Sequence, residues 1–505
     1  MSLAVVQTRA KLGVEAPSVS VEVHLSNGLP AFHMVGLPET AVKESKDRVR
    51  SAIINAHFEF PARRITINLA PAELPKEGSR FDLAIAIGIL AASGQIPLDR
   101  LHQYEFIGEL ALSGEIRGVT AVLPSAISCG ADNKALIIGQ PNATEASMVE
   151  GLTILPANHL LEVTAHLHLR DSLQPWYQVR AEIPEDSPQL SDVIGQQHAK
   201  RALEIAATGG HHLLFCGPPG TGKTMLASRL SGILPPLTNR EALQVASVYS
   251  VAGKGLRDRI WSRPFRSPHH TSSAAALVGG GSTPKPGEIS LAHCGVLFLD
   301  ELPEFSRSVL EVLREPLESG EIMISRVAAQ TLYPAKFQLI AAMNPCPCGY
   351  LGNRRCSCTP DQIARYRHRI SGPLMDRIDL QVQVTAIENH QLLNQQIHEH
   401  PAGDSNQQIQ QRVCSARNRQ LERQGKINGH LSSRELHNIC PLNNAQRALM
   451  DQAIDRFALS TRSFYRVLRV ARSIADLAGL ETPELPQYQE ALSYRAAIES
   501  HSEQP

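Results

Sequence analysis

Residues 19–25 read Val-Ser-Val-Glu-Val-His-Leu, and residues 64–69 read Arg-Ile-Thr-Ile-Asn-Leu. A period of two places the apolar side chains on one face, the pattern of a half-buried strand. Other apolar runs are short and unbroken: Leu136-Ile-Ile138, Val296-Leu-Phe-Leu299 and Phe337-Gln-Leu-Ile-Ala-Ala342. Bounded by turn residues, such runs predict strands buried on both faces, as in a parallel sheet. Helical spacing appears over residues 39–56 and after Met225, and is strong over 443–480.

These textures divide the chain. Residues 1–175 mix strands and helices, and 176–191 form a linker of prolines and acids. Residues 192–385 have the α/β pattern, and 386–505 are helical, Gln-rich at first. The longest apolar run, 83–92, is far too short to span a bilayer, so no membrane role is expected. Lys+Arg and Asp+Glu balance at 49 each, so binding to a polyanion must come from local basic patches. Nine cysteines without framework spacing, and no secretory leader, point to reduced thiols in a cytoplasm.

The chemistry starts at Leu213-Leu-Phe-Cys-Gly-Pro-Pro-Gly-Thr-Gly-Lys-Thr224. An apolar strand feeds a G-x-x-x-x-G-K-T loop, and a helix follows, which is the context of a phosphate-binding loop. Gly217, Pro218, Pro219, Gly220, Thr221 and Gly222 form the turn whose N–H groups face phosphate oxygens. Lys223 reaches the β/γ-phosphates and Thr224 ligates Mg²⁺. Downstream, the strand 296–299 ends in Asp300-Glu301, a carboxylate to hold Mg²⁺ and a second to polarise water. The strand 337–342 runs to Asn344, whose amide can orient that water. ATP with Mg²⁺ is the expected cofactor pair.

Together these features resemble the AAA+ ATPases. Arg266-Ser-Pro-His-His-Thr271, Lys285-Pro-Gly-Glu-Ile-Ser-Leu-Ala292, Phe298-Leu-Asp-Glu-Leu-Pro-Glu-Phe305 and Asn344-Pro-Cys-Pro-Cys-Gly349 narrow the resemblance to the magnesium-chelatase-like branch, and within it to the ComM/YifB family. The resemblance implies an α/β fold in three parts. These are a Lon-protease-like α+β N-terminal domain, an AAA+ P-loop core and a helical C-terminal lid. It makes Asn344 sensor 1 and Arg377, in Ser371-Gly-Pro-Leu-Met-Asp-Arg-Ile-Asp379, an arginine finger acting between subunits. Ile194 falls in the stretch that packs on adenine. Arg462, or else Arg469, becomes the lid arginine that senses nucleotide. The alternative for the stripe Arg462, Arg466, Arg469 and Arg472 is a solvated helix face. The function implied is that of a hexameric motor moving branch points in DNA during transformation or recombination. A chelatase-type or switch ATPase acting on a protein partner is the alternative.

In the Lon-like region, Arg80 falls where the nucleophilic serine belongs and Leu123 where its lysine belongs, so no peptidase activity is expected. Cys346, Cys348, Cys356 and Cys358 could close a tetrahedral Zn²⁺ site, or remain reduced thiols. Residues 318–333 read as two strands about a turn, with Arg326 as a first DNA-phosphate contact; Arg354 and Arg355 lead a second basic cluster. His269-His270 and His166-Leu-His168 lack partners at ligand spacing and are expected to have surface or packing roles.

Overall fold

A computed structural model describes residues 3–37, 39–177, 188–255, 261–281, 284–325, 330–386, 404–457 and 459–499. Arg326 lies outside these residues, as do most of the linker and residues 387–403.

The N-terminal part is built on seven strands: β1 Leu3–Arg9, β2 Ser18–Ser26, β3 Ala31–Val35, β4 Arg64–Ala70, β5 Tyr104–Ile107, β6 Ala135–Gly139 and β7 Ile154–Ala157. Their order is β3-β4-β2-β1-β5-β6-β7. The alternating strands β1, β2 and β4 pair antiparallel, whereas β5, β6 and β7 run parallel. The apolar run is the helix Asp82–Ala92, buried at every position and laid across β1 and β2. Gly88 permits that approach, because a Cβ there would overlap the Val23 side chain. The helix expected over 39–56 is two helices, Thr40–Lys43 and Ser45–Asn55, with Glu44 between them. Arg48, on the second, is pinned at 2.7 Å to the buried carboxylate of Asp82.

The core sheet comprises β8 Leu213–Cys216, β9 Phe265–Arg266, β10 Val296–Leu299, β13 Gln338–Met343 and β14 Leu380–Gln383. A separate hairpin, β11 Glu321–Ser325 with β12 Gln330–Pro334, lies between β10 and β13 in sequence. The sheet is parallel throughout, in the order β9-β10-β13-β8-β14. Buried on both faces, β8, β10 and β13 need the unbroken apolar runs that the sequence carries. Parallel strands deliver the residues that follow them to one edge, where β8 precedes the phosphate loop, β10 precedes Asp300 and β13 precedes Asn344.

The C-terminal part has helices Asn406–Gln424, Ser433–Ile439, Asn444–Phe457, Thr461–Leu477 and Leu485–Glu499. The periodic stretch 443–480 therefore holds two helices, the second started by Ser460, whose hydroxyl accepts from the Ser463 N–H. Val467, Leu468, Val470 and Ile474 share one apolar cluster with Ala202, Leu203, Leu213 and Ile340, so this helix is packed onto the core. The N-terminal part is docked as well. The helix Val122–Ala131 lies on Asn239–Val251, and Gly13 sits so close to Thr331 of β12 that a Cβ would overlap its methyl group.

Candidate nucleotide site

The turn after β8 is shaped by its glycines. Gly220 and Gly222 have φ of 78° and 83°, the left-handed region that side chains disfavour. Gly217 meets β14 from the other side, where a Cβ would overlap the Val384 carbonyl oxygen. The helix Lys223–Ile233 begins at once, so its unpaired N–H groups and positive end face the turn.

Lys223 is largely buried and donates from Nζ to the carbonyl oxygens of Gly217 (2.7 Å) and Pro218 (2.8 Å) and to Asn344 Oδ1 (3.1 Å). Burial draws its pKa down, while the carboxylates of Asp300 and Glu301 oppose that shift. The Thr224 hydroxyl donates to Asp300 Oδ2 at 2.6 Å. A hydroxyl and a carboxylate brought together beside a lysine form the hard oxygen donor set that suits Mg²⁺ with phosphate. This geometry fits ATP and Mg²⁺: Thr224 and Asp300 would hold the metal, and Lys223 with the loop amides would hold the phosphates. The bound metal would neutralise charge on the phosphates.

Glu301 stands at φ 51°, a left-handed conformation that costs a non-glycine residue about 1–2 kcal/mol. Its backbone N–H is held by Asp300 Oδ1 at 2.9 Å, and its carboxylate is about half exposed. Oε2 of that carboxylate lies 3.2 Å from His270 Nδ1. A carboxylate only accepts, so an imidazole carrying its proton on Nδ1 would pair with it. His270 also packs against His269 and lies edge-on to Phe305, in keeping with the packing role expected of it, and Glu301 is a further neighbour. Sequence spacing could not reveal it, since Glu301 approaches from β10 and His270 from the loop after β9. His166 and His168 do behave as packing residues, against Tyr104 and the Gln95 carbonyl. The motif around His270 is braced by a two-pronged pair from Arg266 to Glu288, at 2.5 and 2.7 Å, which joins segment 266–271 to segment 285–292.

Ile194 is half-buried in the loop before the helix Gln197–Gly209, and the neighbouring Gln196 side chain donates to the Thr385 carbonyl, just beyond β14. Arg377 is buried and bonded to the Pro373 carbonyl (2.6 Å) and the Glu318 carboxylate. In the arginine stripe of the helix Thr461–Leu477, Arg472 is fully buried on Asp476, and Arg466 reaches Asp379 (2.5 Å) and the Arg377 carbonyl (2.7 Å). Arg469 is half-buried and donates to the Leu431 carbonyl, while Arg462 is exposed. The alternative of a solvated face holds for Arg462 and is corrected for the rest: apolar spacing brings Val467 and Val470 to the core, where Arg466 and Arg472 find buried carboxylates and Arg469 a backbone carbonyl. Arg354 and Arg355 are both exposed.

In the N-terminal part, Arg80 is buried and donates to the Ala121 carbonyl (3.3 Å) and Ser125 Oγ (3.0 Å), and burial pulls its pKa down to about 10. Leu123 is fully buried, and the Ser79 hydroxyl donates to Glu109. Among the described residues, no helix is long and apolar enough to cross a membrane.

Comparison with known proteins places this geometry in a lineage. Family models described as magnesium chelatase subunit ChlI match residues 189–392, with a further ChlI model over 21–142 and a ChlI C-terminal model over 403–495. Competence protein ComM of Haemophilus influenzae is 51% identical, over 99% of this chain and 98% of its own. YifB of Escherichia coli is 50% identical, over 98% and 97% of the two chains. The magnesium-chelatase 38 kDa subunit of Cereibacter sphaeroides is 25% identical over only 31% of this chain and 52% of its own. With half its residues shared with ComM and YifB along nearly its whole length, and a phosphate loop, Asp300, Glu301 and Asn344 gathered at one sheet edge, the chain belongs to the ComM/YifB family of magnesium-chelatase-like AAA+ ATPases.

Proposed function

We propose that this chain hydrolyses ATP between the subunits of a homo-hexamer in the cytoplasm, and that hydrolysis drives branch migration on DNA during transformation or homologous recombination. The observation that carries the ATPase half is the Lys223–Asn344 and Thr224–Asp300 pairing at the C-terminal edge of the sheet. The DNA half is supported by the near full-length likeness to a protein named for competence. The hairpin β11–β12 and the exposed Arg354 and Arg355 supply the surface for sequence-independent phosphate contacts. In this reading Glu301 polarises the attacking water, Asn344 orients it, and Arg377 serves the neighbouring subunit's site after leaving Glu318. Arg462 or Arg469 senses nucleotide from the lid, and Ile194 packs on the base.

A chelatase-type or switch ATPase working on a protein partner is the second reading, supported by the family models over all three parts of the chain. The limited span of the likeness to the chelatase subunit weighs against it. The deciding measurement is ATP turnover with and without branched DNA, run beside strand-exchange products on a gel. The motor reading requires DNA-stimulated turnover and ATP-dependent branch movement, both lost in Glu301→Gln. Vigorous turnover indifferent to DNA would refute it.

A further inference from the structure

The segment after Asn344 carries four thiols that the nucleotide chemistry does not use. Cys346 and Cys348 come from one turn, closed by the Gly349 N–H donating to the Cys346 carbonyl at 2.9 Å. Cys356 comes from a second, closed by its own N–H donating to the Asn353 carbonyl at 2.9 Å. The two turns face each other. Sγ of Cys346 lies 3.4 Å from that of Cys348 and 3.9 Å from that of Cys356, and Cys348 lies 3.6 Å from Cys356. With Cys358, all four sulfurs fall within 4.8 Å of one another.

These separations discriminate between chemistries. A tetrahedral zinc with Zn–S bonds of about 2.3 Å sets its sulfurs about 3.8 Å apart, the spacing seen here. Sulfurs joined as a disulfide lie about 2.05 Å apart, and none of these is so joined. The loop is also in contact with the phosphate loop: Gly349, at φ 83°, sits so close to Pro219 that a Cβ would fall 2.7 Å from its Cδ.

We propose that Cys346, Cys348, Cys356 and Cys358 bind one Zn²⁺, which clamps the loop after Asn344 onto the phosphate loop through Gly349 and Pro219. The metal closes a tetrathiolate structural site with no open position, so its role is to hold the loop's shape. Arg354 and Arg355 stand on the strap between the two cysteine pairs, so the metal also fixes where that exposed charge is presented.

The test uses the full chain purified without chelator. Elemental analysis should find about one zinc per chain, falling below about 0.2 in Cys346→Ser/Cys356→Ser. Should that variant fail to fold, a mercurial titration of wild type replaces it, with zinc released in step with about four thiols. Cobalt exchanged into the wild type should give the strong sulfur-to-metal charge-transfer bands of a tetrahedral thiolate site. Wild type holding less than about 0.2 zinc, or a double variant that keeps its zinc, would overturn the site. Stripping the zinc should weaken binding of a fluorescent ATP analogue about tenfold; unchanged affinity would overturn the clamp. The clamp rests on the nucleotide-site reading, whereas the metal site does not. Zinc-loaded wild type that binds no nucleotide would fail the former alone.

Discussion

His270 Nδ1 meets Glu301 Oε2 at 3.2 Å, and the same imidazole lies edge-on to Phe305 with centroids 6.5 Å apart. The residue expected to activate water is thus held by a side chain from the neighbouring strand's loop. One oxygen of the carboxylate faces the imidazole, while about half of the side chain stays exposed. His270→Ala should free Glu301 and raise basal ATP turnover about threefold without changing nucleotide affinity, a modest effect next to the 10²–10⁴ range of general-base contributions. Single-turnover kinetics would measure this. Slower turnover would mean that the histidine aligns Glu301 and does not restrain it.

Glu301→Gln keeps the shape of the side chain and removes its basicity. It should bind ATP within about twofold of wild type and hydrolyse it at least about 100-fold more slowly. Equilibrium binding of a fluorescent analogue and phosphate release separate the two effects. Near-normal phosphate release would remove Glu301 from its assigned role.

Gly217→Ala tests the shape of the phosphate loop. The added methyl group has no space beside the Val384 carbonyl, so the loop must move off β14. Nucleotide affinity should fall at least tenfold, an effect of about 1.4 kcal/mol, while far-ultraviolet circular dichroism stays near wild type. Binding unchanged in a folded variant would show that the loop has slack the structure does not suggest.

Asp379 is buried; burial alone would raise its pKa, but Arg466 and then His211 hold its carboxyl well below the usual range. Asp379→Asn leaves the Arg466 guanidinium without its counter-charge. The loss should be about 3 kcal/mol, read as a lowered midpoint in the first unfolding transition. A shift worth under about 0.5 kcal/mol would mean that water reaches and screens the pair.

His293 supplies an acid limb. It is buried, its Nδ1 accepts the Lys336 backbone N–H at 3.1 Å, and burial followed by the Lys336 ammonium lowers its pKa from 6.5 to about 4. Between those values the unfolded chain takes up a proton that the folded chain refuses. Stability is therefore full above pH 6.5 and falls as the pH drops towards 4, by up to about 3 kcal/mol. His293→Asn offers an amide oxygen to the same N–H and should flatten this limb. Melting temperatures between pH 4 and 7 would show it, and an unchanged limb would place the titrating group elsewhere.

What the sequence disclosed depended on how far apart the partners lie. Lys223, Thr224, Asp300 and Asn344 were legible because Asp300 and Asn344 each follow a strand and Lys223 and Thr224 open the helix after the loop that leaves one, and a parallel sheet brings those strand ends to one edge. The cysteine pairs were legible because both lie on one short strap. Glu301 and His270 were not matched, nor were Arg466 and Asp379, since each pair is made by elements whose adjacency only the folded sheet decides. In the arginine stripe of the helix Thr461–Leu477, the solvated-face alternative failed at Arg466 and Arg472 for the same reason: it assumed water where the core supplies buried acids.

Gly13 against Thr331 has a mechanical consequence. The hairpin is no free whisker, because its second strand is gripped from behind by a turn of the N-terminal sheet. A displacement of β12 would therefore drag that sheet along or shear the contact. A methyl group added at Gly13 would act as a wedge at this joint and reveal whether the two bodies travel as one.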